Sequence, residues 1–307
     1  GKTHITVPLP VIVRGENGRW HLFSSSRVAH GQSYEGFYIA QGGDYDGKIV
    51  ERNAAGEEVR PIDLSLTKTA FALLFNSALL MLIVLGAARW YKRHPVRTSA
   101  PGGFVGLMEA AVMMIHDDLI KSCVGKDYKR FAPYLLTVFF FILINNLMGL
   151  VPIFPGGANV TGNIAITLLL AIATFIMTNV FGTREYWKEI FWPEVPTWLK
   201  CPVPMMPAIE FVGILTKPFA LMIRLFANMM AGHAVILSLT CLVFVTVSMG
   251  PVVNGSMTVV SVIFCIFMNL LELLVAFIQA YVFTMLSAVF IGLARVEPHH
   301  KKEEQEI

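Results

Sequence analysis

Charge is what this chain most lacks. Asp, Glu, Lys and Arg make up only 15% of its 307 residues, and 55% are apolar. Soluble globular domains carry about 25% charged residues. The deficit excludes an ordinary soluble domain and points to a membrane protein. Net charge is only +3, so nothing indicates a nucleic-acid surface. Cysteine is also scarce. Cys123, Cys201, Cys241 and Cys265 are scattered and show no CxxC spacing, which excludes a disulfide scaffold and leaves structural thiols. There is no GxxxxGK[ST] phosphate loop and no HExxH metal motif, so neither nucleotide hydrolysis nor metalloprotease chemistry is expected. No cofactor or metal is expected either.

What is present begins with a polar, Gly-rich segment, residues 1–62. Val11-Ile12-Val13-Arg14 and Arg19-Trp20-His21-Leu22-Phe23 flank Gly15-Glu16-Asn17-Gly18, the pattern of a β-hairpin with an Asn-Gly turn. Lys48 to Arg52 and Glu57 to Ile62 flank Asn53-Ala54-Ala55-Gly56 and form a second candidate hairpin. Residues 1–62 are therefore expected to be a small β-rich extramembrane domain. Its histidines, His4, His21 and His30, lack metal-ligand spacing.

From Leu64 the chain is mostly hydrocarbon, and residues 63–296 form the expected membrane domain. A bilayer core of about 30 Å needs about 20 apolar helical residues. Leu66 to Ala88 meets this and is the first span. The basic, aromatic run Arg89 to Arg97 follows, which the positive-inside rule places in the cytoplasm. The N-terminal domain is then outside. Phe104 to Lys121 is too polar to span. Its apolar positions repeat at helical spacing, so an amphipathic interfacial helix is expected. Within it, His116-Asp117-Asp118 cannot converge on one ion, because neighbours on a helix point about 100° apart. An Asp117–Lys121 pair on a solvated face is expected instead. Ala132 to Leu150 is the second span, ended by the breakers of Val151 to Gly157. Ile164 to Phe181 is the third. Residues 182–201 then return with Tyr186, Trp187, Trp192 and Trp198 as an interfacial belt.

Two apolar tracts remain, about Met205 to Met249 and Met257 to Ala294. Each is about 40 residues, or roughly 60 Å as one helix, twice the bilayer core. Neither has a central Pro or Gly cluster for a hairpin. Long, steeply tilted helices are expected. The fold class is thus an all-α polytopic membrane protein with about five crossings, the N-terminus outside, and a charged cytoplasmic tail at 297–307.

Arg224 sits inside an apolar tract. A charge at a helix centre costs about 3 kcal/mol on insertion scales. Such a charge marks an ion path, a proton relay or a ligand counter-ion, or else a structural ion pair with Glu272. At about 100° per residue, Glu210, Lys217, Arg224 and Asn228 form one polar stripe. His233 points about 180° away from Arg224. One helix thus carries a fixed cation on one side and a titratable imidazole on the other. On the last tract, Gln279 shares a face with Glu272, a carboxylate placed among leucines that suits proton uptake and release. Asn145, Asn146, Asn163 and Asn228 could instead be helix glue.

The run Lys217 to His233, with Arg224-Leu225-Phe226-Ala227-Asn228 at its centre, resembles the signature of the F-type ATP synthase subunit a family. Glu272 to Ala294 with Gln279 and Ala280, and Asn146 to Pro152, resemble it too. The likeness covers residues 64–296 in order and spacing; residues 1–62 fall outside the common pattern. It implies a proton-translocating stator subunit with two offset half-channels, one open to each side, against a rotating ring of c subunits. By the resemblance, Arg224 is the essential arginine that holds the ring carboxylate ionised and blocks a direct leak. Asn228 and Gln279 lie near it. His233 and Glu272 serve the half-channel on the N-domain side, in the His-then-Glu order of mitochondrial members. Glu210 belongs to the cytoplasmic half-channel and Asn146 to the outer one. Gly149 stands where other members have Asp, so it receives no relay role.

The resemblance also implies partners: the c-ring, the subunit b stalk, the rest of the F1Fo complex, the lipid bilayer and H⁺, with no nucleic acid and no nucleotide site on this chain. H⁺ is the default ion over Na⁺. A bacterial plasma membrane is favoured over a mitochondrial inner membrane by the added outer domain and the lack of an Arg-rich leader. The competing class is an independent secondary antiporter or channel, which predicts an inverted repeat and broken helices; neither is visible.

Overall fold

A computed structural model of the chain describes residues 8–42, 45–53, 56–94, 102–151, 157–191 and 205–295. The tail at 297–307, the breakers 152–156, Trp192, Trp198, Cys201 and His4 lie outside the described residues. Two compact units emerge, Gly1–Leu74 and Phe75–Ile307.

The first unit holds two three-stranded sheets, ordered β2-β1-β6 and β3-β4-β5. Strands β1 (Pro10–Arg14) and β2 (Trp20–Ser24) pair antiparallel with Arg14 opposite Trp20. This is the expected first hairpin. Its turn closes through the Gly18 N–H on the Gly15 carbonyl (2.9 Å), and Gly18 adopts φ +74°, a conformation glycine reaches without steric cost. Strand alternation buries Val11 and Val13 and leaves Pro10 and Arg14 exposed. These valines pack with Phe23, Val28 and Phe37 into a small core.

Strands β3 (Phe37–Ile39), β4 (Ile49–Arg52) and β5 (Glu58–Val59) form the second sheet. The β4–β5 pair is the expected second hairpin. The run from Glu57 to Ile62 does not stay with it. Its end forms β6 (Ile62–Asp63), which crosses to pair with β1. Pro61 stands at the crossing, and a residue without an N–H cannot continue a ladder.

The second unit is helical. Helix α1 (Lys68–Arg93) begins in the first unit and continues into it. Next come α2 (Gly103–Met113), a π-helical stretch (Met114–Ile120) and α3 (Lys121–Val124), where the amphipathic helix was expected. Ile115, Leu119 and Ile120 are buried on it. Asp117 contacts His116 (2.9 Å) rather than Lys121; adjacent side chains meet here through rotamer choice. Helices α4 (Tyr128–Leu150), α5 (Ile164–Val180) and α6 (Arg184–Phe191) follow. Asn163 caps α5 by accepting from the Ala165 N–H (3.0 Å), a satisfied N-terminal donor.

The long helices are α7 (Met205–Val245, 41 residues) and α8 (Pro251–Ala294, 44 residues). Each is unbroken, although α7 contains Pro218. A short turn over Thr246–Met249 joins them, with Gly250 at φ +105° and Pro251 at the first position of α8, where a missing N–H costs nothing. Helix α8 starts six residues before the expected Met257. At 1.5 Å per residue each helix is roughly 60–65 Å long, about twice a 30 Å core, the length that a steeply tilted helix would fill.

Among the described residues, four helical stretches are long and apolar enough to cross a membrane: Lys68–Arg93, Gly103–Leu150, Ile209–Ser248 and Pro251–Ala294. Helix α5, with 17 residues, is at the short end of the spanning range. The expected fifth crossing rests on this shorter apolar helix.

The core of the helical unit gathers Phe131, Leu135, Phe139 and Ile142 of α4, Leu221 and Leu225 of α7, and Ala280, Phe283, Ala288 and Ile291 of α8. On α8 the buried stripe is mostly small: Ala276, Ala280, Thr284, Ser287, Ala288 and Ala294. Small residues let helix backbones approach, which is how helices associate where no water drives them together. Close approach is tightest at Gly292, next to the Cys123 carbonyl. The end of α8 is fastened as well. Arg295 reaches Asp127 and donates to the Phe181 carbonyl (3.2 Å), and the Thr183 N–H donates to the Ala294 carbonyl (2.9 Å).

Candidate functional site

The polar residues of α7 divide between two directions. Leu221, Met222, Leu225 and Met229 form the buried stripe. Arg224 and Asn228, one turn apart, are exposed. Asn228 reaches along the seam to α8, where its Nδ2–H donates to Gln279 Oε1 (2.7 Å). His233 is set against α8, where its Nδ1 lies 2.6 Å from Glu272 Oε1. Because α7 and α8 run antiparallel, the earlier residue of α7 meets the later one of α8. The two polar contacts therefore stack along one seam.

Glu272 is buried, with 4% of its side chain exposed, whereas His233 is 26% exposed. The imidazole Nδ1 is also 3.1 Å from the Met229 carbonyl, and no well-directed hydrogen bond reaches either Glu272 oxygen among the described residues. The short distance makes the contact an electrostatic one, an ion pair when the imidazole is protonated. Gly232 makes room for it: a Cβ there would sit 3.0 Å from Glu272 Oε1 and 3.2 Å from Cδ. Gln279 is likewise buried, and its Nε2 has no partner among the described residues.

Arg224 makes no ion pair or hydrogen bond among the described residues. The alternative of a structural pair with Glu272 fails, because Glu272 contacts His233. An unpaired guanidinium on an apolar helix is costly.

The four asparagines sort by partner. Asn145 accepts from Asn76 Nδ2 (3.0 Å) and ties α4 to α1; it is helix glue. Asn163 is a cap. Asn146 is fully buried, accepts from the Thr161 hydroxyl (2.7 Å) and donates to the Ala276 carbonyl (3.3 Å). Ala276 is one helical turn from Glu272, so Asn146 sits beside the His233–Glu272 end of the seam. Asn228 belongs to the α7–α8 contact.

Glu210, half-buried near the start of α7, is close enough to Tyr186 to act on its phenol. Burial, and then the Glu210 charge, hold that phenol above its usual range, so it keeps its proton as a donor to Asn179 Oδ1 (3.4 Å). Tyr186, Asn179, Thr178 and Lys217 line a narrow cleft between α5, α6, α7 and α8. Tyr186, read from sequence as an interfacial aromatic, is one residue the motif reasoning missed; Gly232 and Thr161 are two more. Only Gly232 lay inside a quoted motif.

These features define a class: a polytopic membrane protein whose two long helices carry a buried carboxylate against an imidazole, and an arginine unpaired among the described residues. Comparison with known proteins makes this specific. The model of the ATP synthase A chain family matches residues 73–292. A domain of unknown function, DUF8433, matches residues 1–65. ATP synthase subunit a of Chloroherpeton thalassium is 44% identical over 254 residues, covering 80% of this chain and 71% of that protein. ATP synthase subunit a of Chlorobium phaeobacteroides is 43% identical over 271 residues, 84% and 75% of the two chains. That of Myxococcus xanthus is 41% identical over 245 residues, 78% and 76%. The chain belongs to the ATP synthase A chain family, the proton-conducting stator subunit of the membrane sector. Its helices and its bacterial relatives make it an integral protein of a bacterial plasma membrane.

Proposed function

We propose that Arg224 is the barrier between two half-channels and faces a carboxylate of the rotating c-ring. The observation that carries this is the division on α7: Arg224 exposed and unpaired among the described residues, with His233 turned to Glu272 across the seam. A guanidinium stays charged even when partly desolvated, because its pKa is above 12. It can hold a passing carboxylate ionised, and it repels a proton crossing directly from one path to the other. A membrane potential is worth about 2.3 kcal/mol per charge per 100 mV, and a leak there would dissipate it.

In this reading His233, Glu272 and Asn146 serve the half-channel on the side of residues 1–62. Orphaned polar atoms on Glu272 and Gln279 support it, since buried polar groups normally find partners in protein or water. Glu210 serves the opposite half-channel, with the Tyr186 cleft beside it. Asn228 and Gln279 hold the two helices in register beside Arg224. The N-terminus is outside and the C-terminus cytoplasmic, as the basic run Arg89 to Arg93 favours. The stator stalk and the catalytic sector complete the assembly, and nucleotide chemistry belongs to other chains.

The test uses the whole complex in sealed vesicles. Arg224→Ala is expected to abolish ATP-driven pumping and coupled synthesis with assembly intact, and to open a passive proton leak. Normal pumping by an assembled Arg224→Ala complex overturns the assignment.

A further inference from the structure

We propose that the outer face of the β2-β1-β6 sheet rests on the lipid surface beside the first membrane helix. This inference concerns residues 8–74 alone and does not depend on the proton path.

The sheet register fixes which side chains share that face. Ile12 stands opposite Leu22, and Arg14 opposite both Trp20 and Ile62. The Leu64 N–H donates to the Ile12 carbonyl (2.9 Å), so Leu64 extends β6 beside Ile12. Paired residues share a face, and residues two apart along a strand share it too. One face therefore carries Ile12, Arg14, Trp20, Leu22, Ile62 and Leu64. The opposite face buries Val11, Val13 and Phe23 in the core.

The outer face is strongly exposed: Trp20 54%, Leu22 73%, Ile62 59% and Leu64 63%. A two-faced antiparallel sheet normally turns polar residues to water. Here the water side is apolar instead. Of the six residues none is acidic and one is basic. Asp63 pairs with Val13 in register and so lies on the other face; the acids Glu16 and Glu51 stand only at the Arg14–Ile62 edge, where they line a cleft with Arg60. The Arg14 guanidinium lies over the Trp20 ring at 5.9 Å from its centroid. An aromatic ring with a cation on it suits the headgroup layer, where Trp concentrates, and a cation favours anionic lipid.

Continuity with the membrane selects lipid over another occupant. The ladder continues past β6, with the Leu66 N–H donating to the Pro10 carbonyl (3.2 Å) and the Ile12 N–H donating to the Ser65 hydroxyl (3.2 Å). Helix α1 starts at Lys68. No free linker separates sheet from helix. Leu64 and Lys68 are four positions apart, a reach of at most about 14 Å. The headgroup region on each side of the core is several ångströms thick. A face held that close to the entry point of a spanning helix is within contact of the bilayer.

The experiment places a fluorophore on Leu22→Cys and, separately, on Lys48→Cys, the exposed residue just before β4 of the second sheet. Both are made in an otherwise cysteine-free complex that still pumps, reconstituted in phosphatidylcholine–phosphatidylglycerol vesicles. Quenching by a lipid carrying a nitroxide near the headgroup is compared with quenching by aqueous iodide. The proposal expects severalfold stronger lipid quenching at position 22 than at 48, with iodide protection at 22 only. It also expects Arg14→Glu to weaken the lipid quenching at 22. Open access of iodide to position 22, with no lipid quenching, overturns it and leaves a water-facing sheet. Protection from both quenchers also overturns it and identifies a protein partner on that face.

Discussion

Nδ1 of His233 on α7 lies 2.6 Å from Oε1 of Glu272 on α8, a contact between residues 39 positions apart in sequence, made possible by the antiparallel packing of two long helices. If the pair works as a unit, what counts is that one partner is an imidazole and the other a carboxylate across the same seam. Each single change, His233→Ala or Glu272→Gln, is expected to lower ATP-driven pumping by about tenfold or more, equivalent to about 1.4 kcal/mol in barrier. The exchange His233→Glu with Glu272→His is expected to recover activity above either single variant. Measured pumping in the double variant no better than in the singles would show that the two groups have separate, fixed roles.

Gly232 offers a test in which local propensity and site geometry oppose each other. In a helix interior Ala is favoured over Gly by about 1 kcal/mol, so Gly232→Ala should leave folding intact or raise stability. The new methyl, however, would sit 3.0 Å from Glu272 Oε1 and 3.2 Å from Cδ, tighter than ordinary contact. The carboxylate must shift by a few tenths of an ångström. We expect severalfold slower proton flux with normal assembly and equal or higher melting temperature. Unchanged flux would mean that Glu272 has slack in its seat and that the glycine is there for another reason.

How much of this could be read from the chain depends on the kind of signal. The spans were legible because hydrocarbon burial demands about 20 apolar residues, and the length of α7 and α8 because nothing in either tract could turn. Opposition of Arg224 and His233 was read from helical angle alone; the structure leaves Arg224 exposed and sets His233 against Glu272. Which helix faces which was not legible. Nothing local says that His233 meets Glu272, that Asn146 holds the Ala276 carbonyl, or that Tyr186 comes near Glu210, because those contacts depend on packing between distant segments. The same limit applies in the sheets. Both hairpins were visible from their turns, but β3 was not, and the passage of Ile62 to the other sheet depends on β1 having an open edge.

Asn145 and Asn76 should behave as structure and not as transport. Asn76 Nδ2 donates to Asn145 Oδ1 at 3.0 Å, with both side chains buried. Interhelical hydrogen bonds in membranes average about 0.6 kcal/mol, but leaving one buried amide without a partner costs about 1–3 kcal/mol. Asn145→Leu is therefore expected to lower thermal stability while leaving the pH profile of pumping where it was. Asn76→Leu together with Asn145→Leu is expected to regain much of that stability, because neither amide is then orphaned. A shift in the pH profile would move the pair from glue to proton path.

Gly292 tests whether α8 is held by backbone contact. A Cβ there would collide with the Cys123 carbonyl, and that obstacle is main chain at the junction of α3 with the turn before α4, so it cannot swing aside as a flexible side chain would. Overpacking of this kind costs about 1–3 kcal/mol, and helix propensity offsets about 1 kcal/mol of it at most. Gly292→Ala is expected to lower the melting temperature of the subunit and to loosen the fastening at Arg295, three residues on, where the guanidinium holds Asp127 and the Phe181 carbonyl. Gly86→Ala is the matched control, since a Cβ at Gly86 meets nothing within 4 Å; it should be neutral or stabilising. Equal melting temperatures for the two variants would show that α3 and α8 separate without cost, and that the end of α8 is held by the Arg295 contacts alone.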